Sequence, residues 1–112
     1  MRVKHTKEKN ELAKQIFFSL LDSAGLERPI TEHAFHTTRK WRFDYCWPQH
    51  MIALEVEGGI FTNGRHSRGA GMKEDFNKYN EAAIMGWRII KVVPTELNSM
   101  NTIKMLRRIL LF

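Results

Sequence analysis

Two carboxylates, Asp44 and Glu55, are the side chains of this sequence that are best placed to do chemistry. Residues 41–47 and 52–57 alternate apolar and polar side chains at period two, which predicts two half-buried strands. With residues 48–51 as the hairpin loop, Asp44 lies opposite Glu55 on the polar face. Carboxylates about 5 Å apart at Cβ repel each other. A divalent cation would use both as hard oxygen ligands, polarise a phosphodiester oxygen and lower the pKa of an attacking water.

The same polar face continues with Glu57, which this register places opposite Arg42. A cross-strand salt bridge to Arg42 would account for Glu57 without any chemistry. Solvent exposure on an open sheet face would likewise account for Asp44 and Glu55. The flanking Trp and Phe side chains instead favour a packed sheet.

The elements that must position these carboxylates follow from apolar periodicity. Helices are predicted over residues 8–24, 72–85 and 95–112, and strands over residues 41–47, 52–57 and 87–93. The order is α-β-β-α-β-α, with room for a short strand near residues 30–35. A helix between two strands implies a crossover, and crossovers place strands parallel. We therefore expect an α/β fold with a mixed β-sheet flanked by helices.

The spacing also predicts which side of each element is buried. In the first helix these residues are Leu12, Ile16, Leu20 and Leu21; in the second, Met72, Phe76, Tyr79 and Ala83; in the last, Leu97, Ile103, Leu106, Ile109 and Leu110. The first hairpin strand is predicted to place Trp41, Phe43, Tyr45 and Trp47 on its apolar face and Arg42, Asp44 and Cys46 on the other.

The charge balance favours a polyanionic partner. The chain has 112 residues, a net charge of +6 and a pI of about 9.8, which suits nucleic acid or an anionic membrane surface. Many basic proteins bind nothing charged, so composition alone does not decide the partner. The length predicts one domain over residues 1–112, with residues 1–7 as a frayed basic tail.

Cysteine usage and hydropathy exclude several classes of protein. Cys46 is the single cysteine, so an internal disulfide and a four-thiolate metal site are excluded. No apolar run approaches the roughly 18 residues of a membrane span, and the N-terminal residues do not resemble a signal peptide. We expect a cytoplasmic protein, or one in the host cytoplasm if it is phage-encoded.

A basic, glycine-containing loop follows the second hairpin strand and is predicted to bind DNA. It contains Arg65, His66 and Arg68, and Lys73 follows near the start of the next helix. Glycines let the backbone approach a phosphate, and guanidinium groups can bind one in a bidentate manner. His66 has two further interpretations, as a general acid or base and as an ordinary polar loop residue.

The hairpin residues resemble a known family. The run Arg42-Phe43-Asp44-Tyr45, followed by Ala53-Leu54-Glu55-Val56-Glu57-Gly58-Gly59, is similar to the core of the PD-(D/E)XK nuclease superfamily. The likeness is greatest to small phage and bacterial nucleases of the VRR-NUC and very-short-patch-repair-like kind. It extends over residues 11–93 and includes His66 in the basic loop, Asp75, Lys78, Ala82 and Gly86-Trp87-Arg88.

This resemblance implies a restriction-endonuclease-like sheet and Mg²⁺- or Mn²⁺-dependent hydrolysis of DNA phosphodiesters. It implies Asp44, Glu55 and Val56 as metal ligands and Asp44, Glu55, Glu57 and Lys78 as catalytic residues. Some members carry an additional acid in the first helix, where Glu11 stands here, although an ordinary exposed helix residue is the alternative.

One departure from the family concerns position 57, where members usually have lysine and this chain has Glu57. Glu57 can act as a further metal ligand or orient a metal-bound water, but it supplies no positive charge. Lys78 shares a helical row with Asp75 and Ala82, so it is predicted to point over the sheet and replace that lysine. The alternative is an i, i+4 pair with Glu74 on a solvated face.

Three functions follow from this reasoning. The first is a metal-dependent DNA endonuclease, selective for structures such as junctions, flaps or nicks because no base-reading helix is evident. A homodimer in contact through residues 41–47 or 106–112 would let two sites cut two strands. The second is a nuclease-fold DNA-binding module that has lost catalysis, which the replacement at Glu57 favours. The third is an unrelated basic subunit of a larger assembly, which would bind neither metal nor DNA tightly.

Overall fold

The structure is a computed structural model that describes the backbone of residues 2–58 and 69–111, and the side chains from residue 8 onward within those ranges. The helices are α1 (Arg2–Ser23), α2 (Ala70–Ile84) and α3 (Met100–Leu110), and the strands are β1 (Ile30–Ala34), β2 (Arg42–Trp47), β3 (Ile52–Val56) and β4 (Arg88–Val92). The predicted α/β class is confirmed. The observed order is α-β-β-β-α-β-α, because the short strand near residues 30–35 is present as β1.

The four strands form one mixed sheet in the order β1-β2-β3-β4. The pairs β1–β2 and β2–β3 are antiparallel, and β3–β4 is parallel, with α2 between them in the chain. This agrees with the predicted crossover. The predicted hairpin register is also confirmed over three pairs, Tyr45 with Leu54, Cys46 with Ala53 and Trp47 with Ile52.

The hairpin turn is a short 3₁₀ helix over Pro48–His50, closed by Met51 in the left-handed region at φ 54°. The Met51 N–H donates to the Pro48 carbonyl at 3.0 Å. Proline at the first position suits this turn because its φ is already fixed near the helical value. The turn sets the register that brings the two predicted carboxylates to the same end of the hairpin.

The chain divides into two compact units, Met1–Arg28 with Thr95–Phe112, and Pro29–Pro94. The second unit contains the sheet and α2, and its core cluster lies between them. Its members are Phe35, Phe43, Cys46, Ala53, Ala82 and Trp87. The rings of Phe35 and Phe43 stack 4.0 Å apart, and Trp87 meets both edge-on. The prediction of one domain over residues 1–112 stays a prediction.

The predicted faces of β2 are wrong at one point. Phe43 and Cys46 share the core cluster although strict alternation would put them on opposite faces. The alternation therefore breaks between them, at Asp44 or Tyr45. The sequence pattern did not predict this break, because polar and apolar residues alternate through it without interruption.

The predicted core stripe of α2 is also wrong. Phe76 is 59% exposed and Met72 is 40% exposed, whereas Ala82 is the one buried residue of this helix. The helix is rotated so that the row of Lys78 and Ala82 faces the sheet. The physical reason is the small Ala82 side chain, which lets the helix approach the aromatic cluster closely.

In the first unit, α1 begins at Arg2, earlier than the predicted start near residue 8. The backbone of residues 2–7 is thus helical where a frayed tail was expected, since the segment lacks Gly and Pro and contains residues of high helix propensity. Phe17 and Leu21 are fully buried, whereas Leu12 is 57% exposed. The predicted buried side of α1 is therefore confirmed at Leu21 and wrong at Leu12 and at Ile16, which is 44% exposed.

Helix α3 follows a turn at Pro94–Glu96 and begins later than predicted, at Met100. Ser99 caps it, because its hydroxyl accepts the Thr102 N–H at 3.1 Å. The side that the sequence predicted is buried at Leu97, Ile103, Leu106 and Leu110, with Ile109 half-buried. In the part of the chain that the structure describes, no helix is long and apolar enough to cross a bilayer.

Candidate active site

Asp44 and Glu55 meet where the hydrogen-bond ladder between β2 and β3 stops. The Asp44 N–H donates to Oε2 of Glu55 at 2.7 Å, and the Val56 N–H donates to Oδ2 of Asp44 at 2.8 Å. Each carboxylate thus bonds to the backbone of the opposite strand. The structure brings the predicted pair together, through these reciprocal bonds rather than through simple cross-strand pairing.

The neighbouring strand β1 is irregular at the same level. Glu32 has φ 52°, and the pairs Thr31–Tyr45 and His33–Phe43 flank its position opposite Asp44. Positive φ is uncommon for a residue other than glycine and typical of a bulge or a constrained site. The irregularity coincides with the break in β2 alternation.

Glu55 is a buried carboxylate with a half-buried cation beside it. Glu55 is 4% exposed, and Nζ of Lys78 lies 2.6 Å from Oε1 of Glu55. The Tyr79 hydroxyl donates to the same oxygen at 2.9 Å. A buried charge is tolerated only when it is paired and hydrogen-bonded. These two α2 side chains and the Asp44 N–H together meet that requirement.

Lys78 points at the sheet, as its helical row predicted. The alternative partner Glu74 is engaged elsewhere, since it binds the Arg39 guanidinium and accepts the Trp41 Nε1–H at 2.8 Å. Arg39 also lies over the Trp41 ring, 4.3 Å from its centroid. The loop between β1 and β2 thus occupies Glu74 and leaves Lys78 to Glu55. These contacts lower the pKa of Glu74, chiefly through the hydrogen bond from Trp41.

The loop between β1 and β2 is held to α2 by a second contact, which sequence reasoning did not find. Nδ1 of His36 accepts the backbone N–H groups of Thr38 and Arg39 at 3.3 and 3.0 Å, so we assign its proton to Nε2. Nε2 then donates to Oε1 of Glu81 at 3.0 Å. This bond fixes the loop beside the helix that carries Lys78.

Glu57 is half-buried and takes its partner from α2 rather than from β2. The Tyr79 hydroxyl lies 3.4 Å from Oε2 of Glu57, and the Glu57 N–H donates to the Val92 carbonyl at 2.7 Å. The considered salt bridge to Arg42 is not formed, because Arg42 donates to the Glu32 carbonyl at 3.0 Å. The Tyr79 hydroxyl oxygen therefore lies between Glu55 and Glu57, and its one proton goes to the nearer acceptor, Oε1 of Glu55.

The site disfavours negative charge on Asp44. Burial raises the pKa of this carboxyl from 3.8 to about 6; the Val56 N–H opposes the rise, while the charges of Glu55 and Glu32 add to it. Burial beside Glu55 likewise raises the pKa of the Cys46 thiol to about 11 and raises the pKa of the Tyr79 hydroxyl. Cys46 is thus an inert thiol, and Tyr79 remains a hydrogen-bond donor.

The donors at this site suit a hard divalent cation. A carboxylate oxygen has two lone pairs, and among described residues Oδ2 of Asp44 and Oε2 of Glu55 each accept one hydrogen bond. The Val56 carbonyl faces β2 as its N–H does, so it is the one ligand that Val56 can provide. The side chains described in residues 8–58 and 69–111 include no group of three His, Cys, Asp or Glu that could hold a metal. Two carboxylates, a carbonyl and waters would suit Mg²⁺, which usually keeps several waters.

Of the remaining predicted site residues, the structure describes Lys73 and Glu11. Arg65, His66 and Arg68 lie outside the described residues. Lys73 is exposed in the first turn of α2, where its N–H donates to the Gly69 carbonyl at 3.1 Å. Glu11 is an exposed residue of α1 in the other unit and pairs with Lys14 at 3.0 Å, which favours the ordinary-helix interpretation.

Tyr79 is the site residue that sequence reasoning missed, because its apolar ring fitted a core stripe at helical spacing. A signal was available: a tyrosine hydroxyl that becomes buried needs a hydrogen-bond partner, and Tyr79 directly follows Lys78 in the sequence. Comparison of the chain with protein-family models, with curated proteins and with solved structures gave no match.

Proposed function

We propose that this chain is a divalent-metal-dependent DNA endonuclease with a restriction-endonuclease-like fold. The observation that carries the proposal is the reciprocal bonding of Asp44 and Glu55 across two strands, with Lys78 2.6 Å from Glu55. This arrangement holds a buried and a half-buried carboxylate together, which stability alone would disfavour. A site of that kind, with a carboxyl whose pKa is raised to about 6, is a functional candidate on physical grounds.

Asp44, Glu55 and the Val56 carbonyl are the proposed ligands of Mg²⁺ or Mn²⁺. When bound, the ion supplies Lewis acidity to a phosphodiester oxygen and acidifies a water. Its positive charge would also oppose the effect of burial, and the smaller repulsion from Glu55 and Glu32, which raise the pKa of Asp44.

Lys78 is proposed to supply the positive charge that Glu57 cannot. Its ammonium pairs with Glu55 at 2.6 Å, and it can stabilise negative charge that develops on a phosphate. Glu57, whose Oε2 lies 3.4 Å from the Tyr79 hydroxyl, is proposed to orient the attacking water. Lys78, Glu55 and Glu57 thus have separate proposed roles.

DNA is the proposed substrate because the chain carries a net charge of +6. Backbone contacts from Lys73 and from the loop with Arg65, His66 and Arg68 would recognise DNA shape rather than sequence. We therefore propose selectivity for flaps, nicks or junctions.

An inactive DNA-binding module is the second candidate, and one observation favours it. Both oxygens of Glu55 already accept hydrogen bonds, Oε1 from Lys78 and Tyr79 and Oε2 from Asp44. A carboxylate so fully satisfied could serve structure alone. Lysine is also replaced by Glu57 in this chain.

The deciding experiment measures cleavage of labelled duplex, single-stranded, nicked, flap and four-way-junction DNA with Mg²⁺ or Mn²⁺. It compares the wild type with an Asp44→Ala, Glu55→Ala double variant and with Glu11→Gln as an exposed acidic control. Metal-dependent cutting that the double variant loses and the control keeps supports the endonuclease. Tight binding by all three without cutting supports the inactive module, and neither binding nor cutting refutes both.

A further inference from the structure

A second lysine lies beside the carboxylate site on β4. Nζ of Lys91 is 3.7 Å from the centroid of the Tyr79 ring. Lys78 also approaches this ring, with Nζ 5.2 Å from the centroid. Ammonium groups at these distances are attracted by the negative face of an aromatic ring. Tyr79 therefore has two ammonium groups around its ring, while its hydroxyl reaches Glu55 and Glu57.

The strand register independently brings Lys91 to this site. Glu55 and Lys91 are paired in the parallel β3–β4 ladder, so both side chains lie on the same face of the sheet. Lys91 does not duplicate Lys78 there. The Lys78 side chain is 16% exposed and bound to Glu55, whereas Lys91 is exposed, and within the described ranges it forms no salt bridge.

We propose that Lys91 binds a backbone phosphate of the DNA strand at the carboxylate site, and that the Tyr79 ring holds its ammonium in place. The inference rests on the proposed nuclease function and adds a substrate contact to it. An acidic site repels a phosphodiester, so a cation beside Glu55 and Glu57 lowers that repulsion. An exposed lysine normally loses rotamer entropy on binding. Because Nζ of Lys91 already lies 3.7 Å from the centroid of the Tyr79 ring, fewer rotamers remain to be lost when DNA binds.

Tyr79 then has two functions that substitution can separate. Its ring positions Lys91, and its hydroxyl positions Glu55 and Glu57. Tyr79→Phe keeps the ring and removes the hydroxyl. Tyr79→Leu removes both. Lys91→Gln removes only the charge above the ring.

The test measures the affinity for labelled DNA in EDTA at several KCl concentrations, so that no strand is cut. Loss of one phosphate contact lowers the slope of log affinity against log salt by about 0.9. Lys91→Gln and Tyr79→Leu are expected to show that lower slope. Tyr79→Phe is expected to keep the wild-type slope and instead to lower kcat in Mn²⁺ with little change in KM. Lys104→Gln, an exposed lysine on α3, is the charge-matched control and is expected to keep the slope.

Several outcomes overturn the assignment while the nuclease stands. If the wild type binds and cuts DNA but Lys91→Gln keeps the full slope, Lys91 is not a phosphate contact. An equal loss in Lys104→Gln would show a general charge effect, and an equal loss in Tyr79→Phe would show that the ring alone does not position Lys91. If Tyr79→Leu fails to fold by circular dichroism, Lys91→Gln and Tyr79→Phe still decide. A wild type that neither binds nor cuts DNA refutes the proposed function itself.

Discussion

Replacing Asp44 with asparagine is expected to stabilise the metal-free protein at neutral pH while it abolishes cleavage. Burial and neighbouring carboxylates raise the pKa of Asp44 from 3.8 to about 6. The folded state therefore binds a proton that the unfolded state has already released, and the ionised carboxylate destabilises the fold. Asparagine carries no charge, and its side-chain oxygen can still accept the Val56 N–H that Asp44 accepts at 2.8 Å.

The expected magnitude follows from the pKa. A change from 3.8 to about 6, at 1.36 kcal/mol for each pKa unit, corresponds to at most about 3 kcal/mol. Asp44 is only half-buried, so solvent screening reduces this to about 1–2 kcal/mol. The destabilisation is absent below about pH 4, where both states are protonated, and grows until it is complete above about pH 6–7. The difference between variant and wild type should follow the same course.

The assay is urea denaturation of both proteins in EDTA between pH 4 and pH 8. The variant should exceed the wild type by about 1–2 kcal/mol at pH 8 and equal it near pH 4. Mn²⁺ at about 100 times its Kd should then stabilise the wild type by about 2.7 kcal/mol and leave the variant unchanged. A variant that is less stable than the wild type at pH 8, or a difference that does not change with pH, would refute the reasoning.

Two further predictions concern the supports of the site and of the fold. Lys78→Met leaves the Glu55 carboxylate buried without its cation and should lower the free energy of unfolding by about 3 kcal/mol. In urea denaturation, adding Glu55→Gln to this variant should recover most of that loss. A double variant no more stable than Lys78→Met alone would contradict the pairing. Ser99→Ala removes the N-cap of α3 and should cost about 1 kcal/mol in thermal unfolding, whereas Ser19→Ala on the exposed side of α1 should stay within about 0.5 kcal/mol; equal losses would show that the cap is unimportant.

The hairpin and α3 were predictable because their signals are local. A four-residue turn and regular alternation set the pairing of Trp47 with Ile52, and α3 carries its apolar residues in one narrow stripe. Which side of α1 and which side of α2 is buried could not be predicted in the same way. Apolar residues lie around much of each helix, so Leu12 and Phe76 fitted a stripe as well as the residues that are actually buried.

The candidate site was predictable in its residues but not in its geometry. Asp44, Glu55 and Lys78 followed from register and helical row. The break in alternation between Phe43 and Cys46 lies beside Glu32, which has positive φ in β1, and beside the bond from the Asp44 N–H to the Glu55 carboxylate, and the pattern of β2 alone shows neither feature. Tyr79 was assigned to the core because its ring is apolar. Its hydroxyl needs a hydrogen-bond partner, and only the packed structure shows that this partner is Glu55.

The most direct test of the central claim is the single-turnover rate of DNA cleavage by wild type and Asp44→Asn in Mn²⁺ and in EDTA. The asparagine variant is the sharpest comparison, because we expect it to be folded and at least as stable as the wild type. We predict cleavage by the wild type in Mn²⁺ alone and background rates in the other three reactions. Equal cleavage by the variant, or cleavage by the wild type in EDTA, would contradict a metal site built on Asp44 and Glu55.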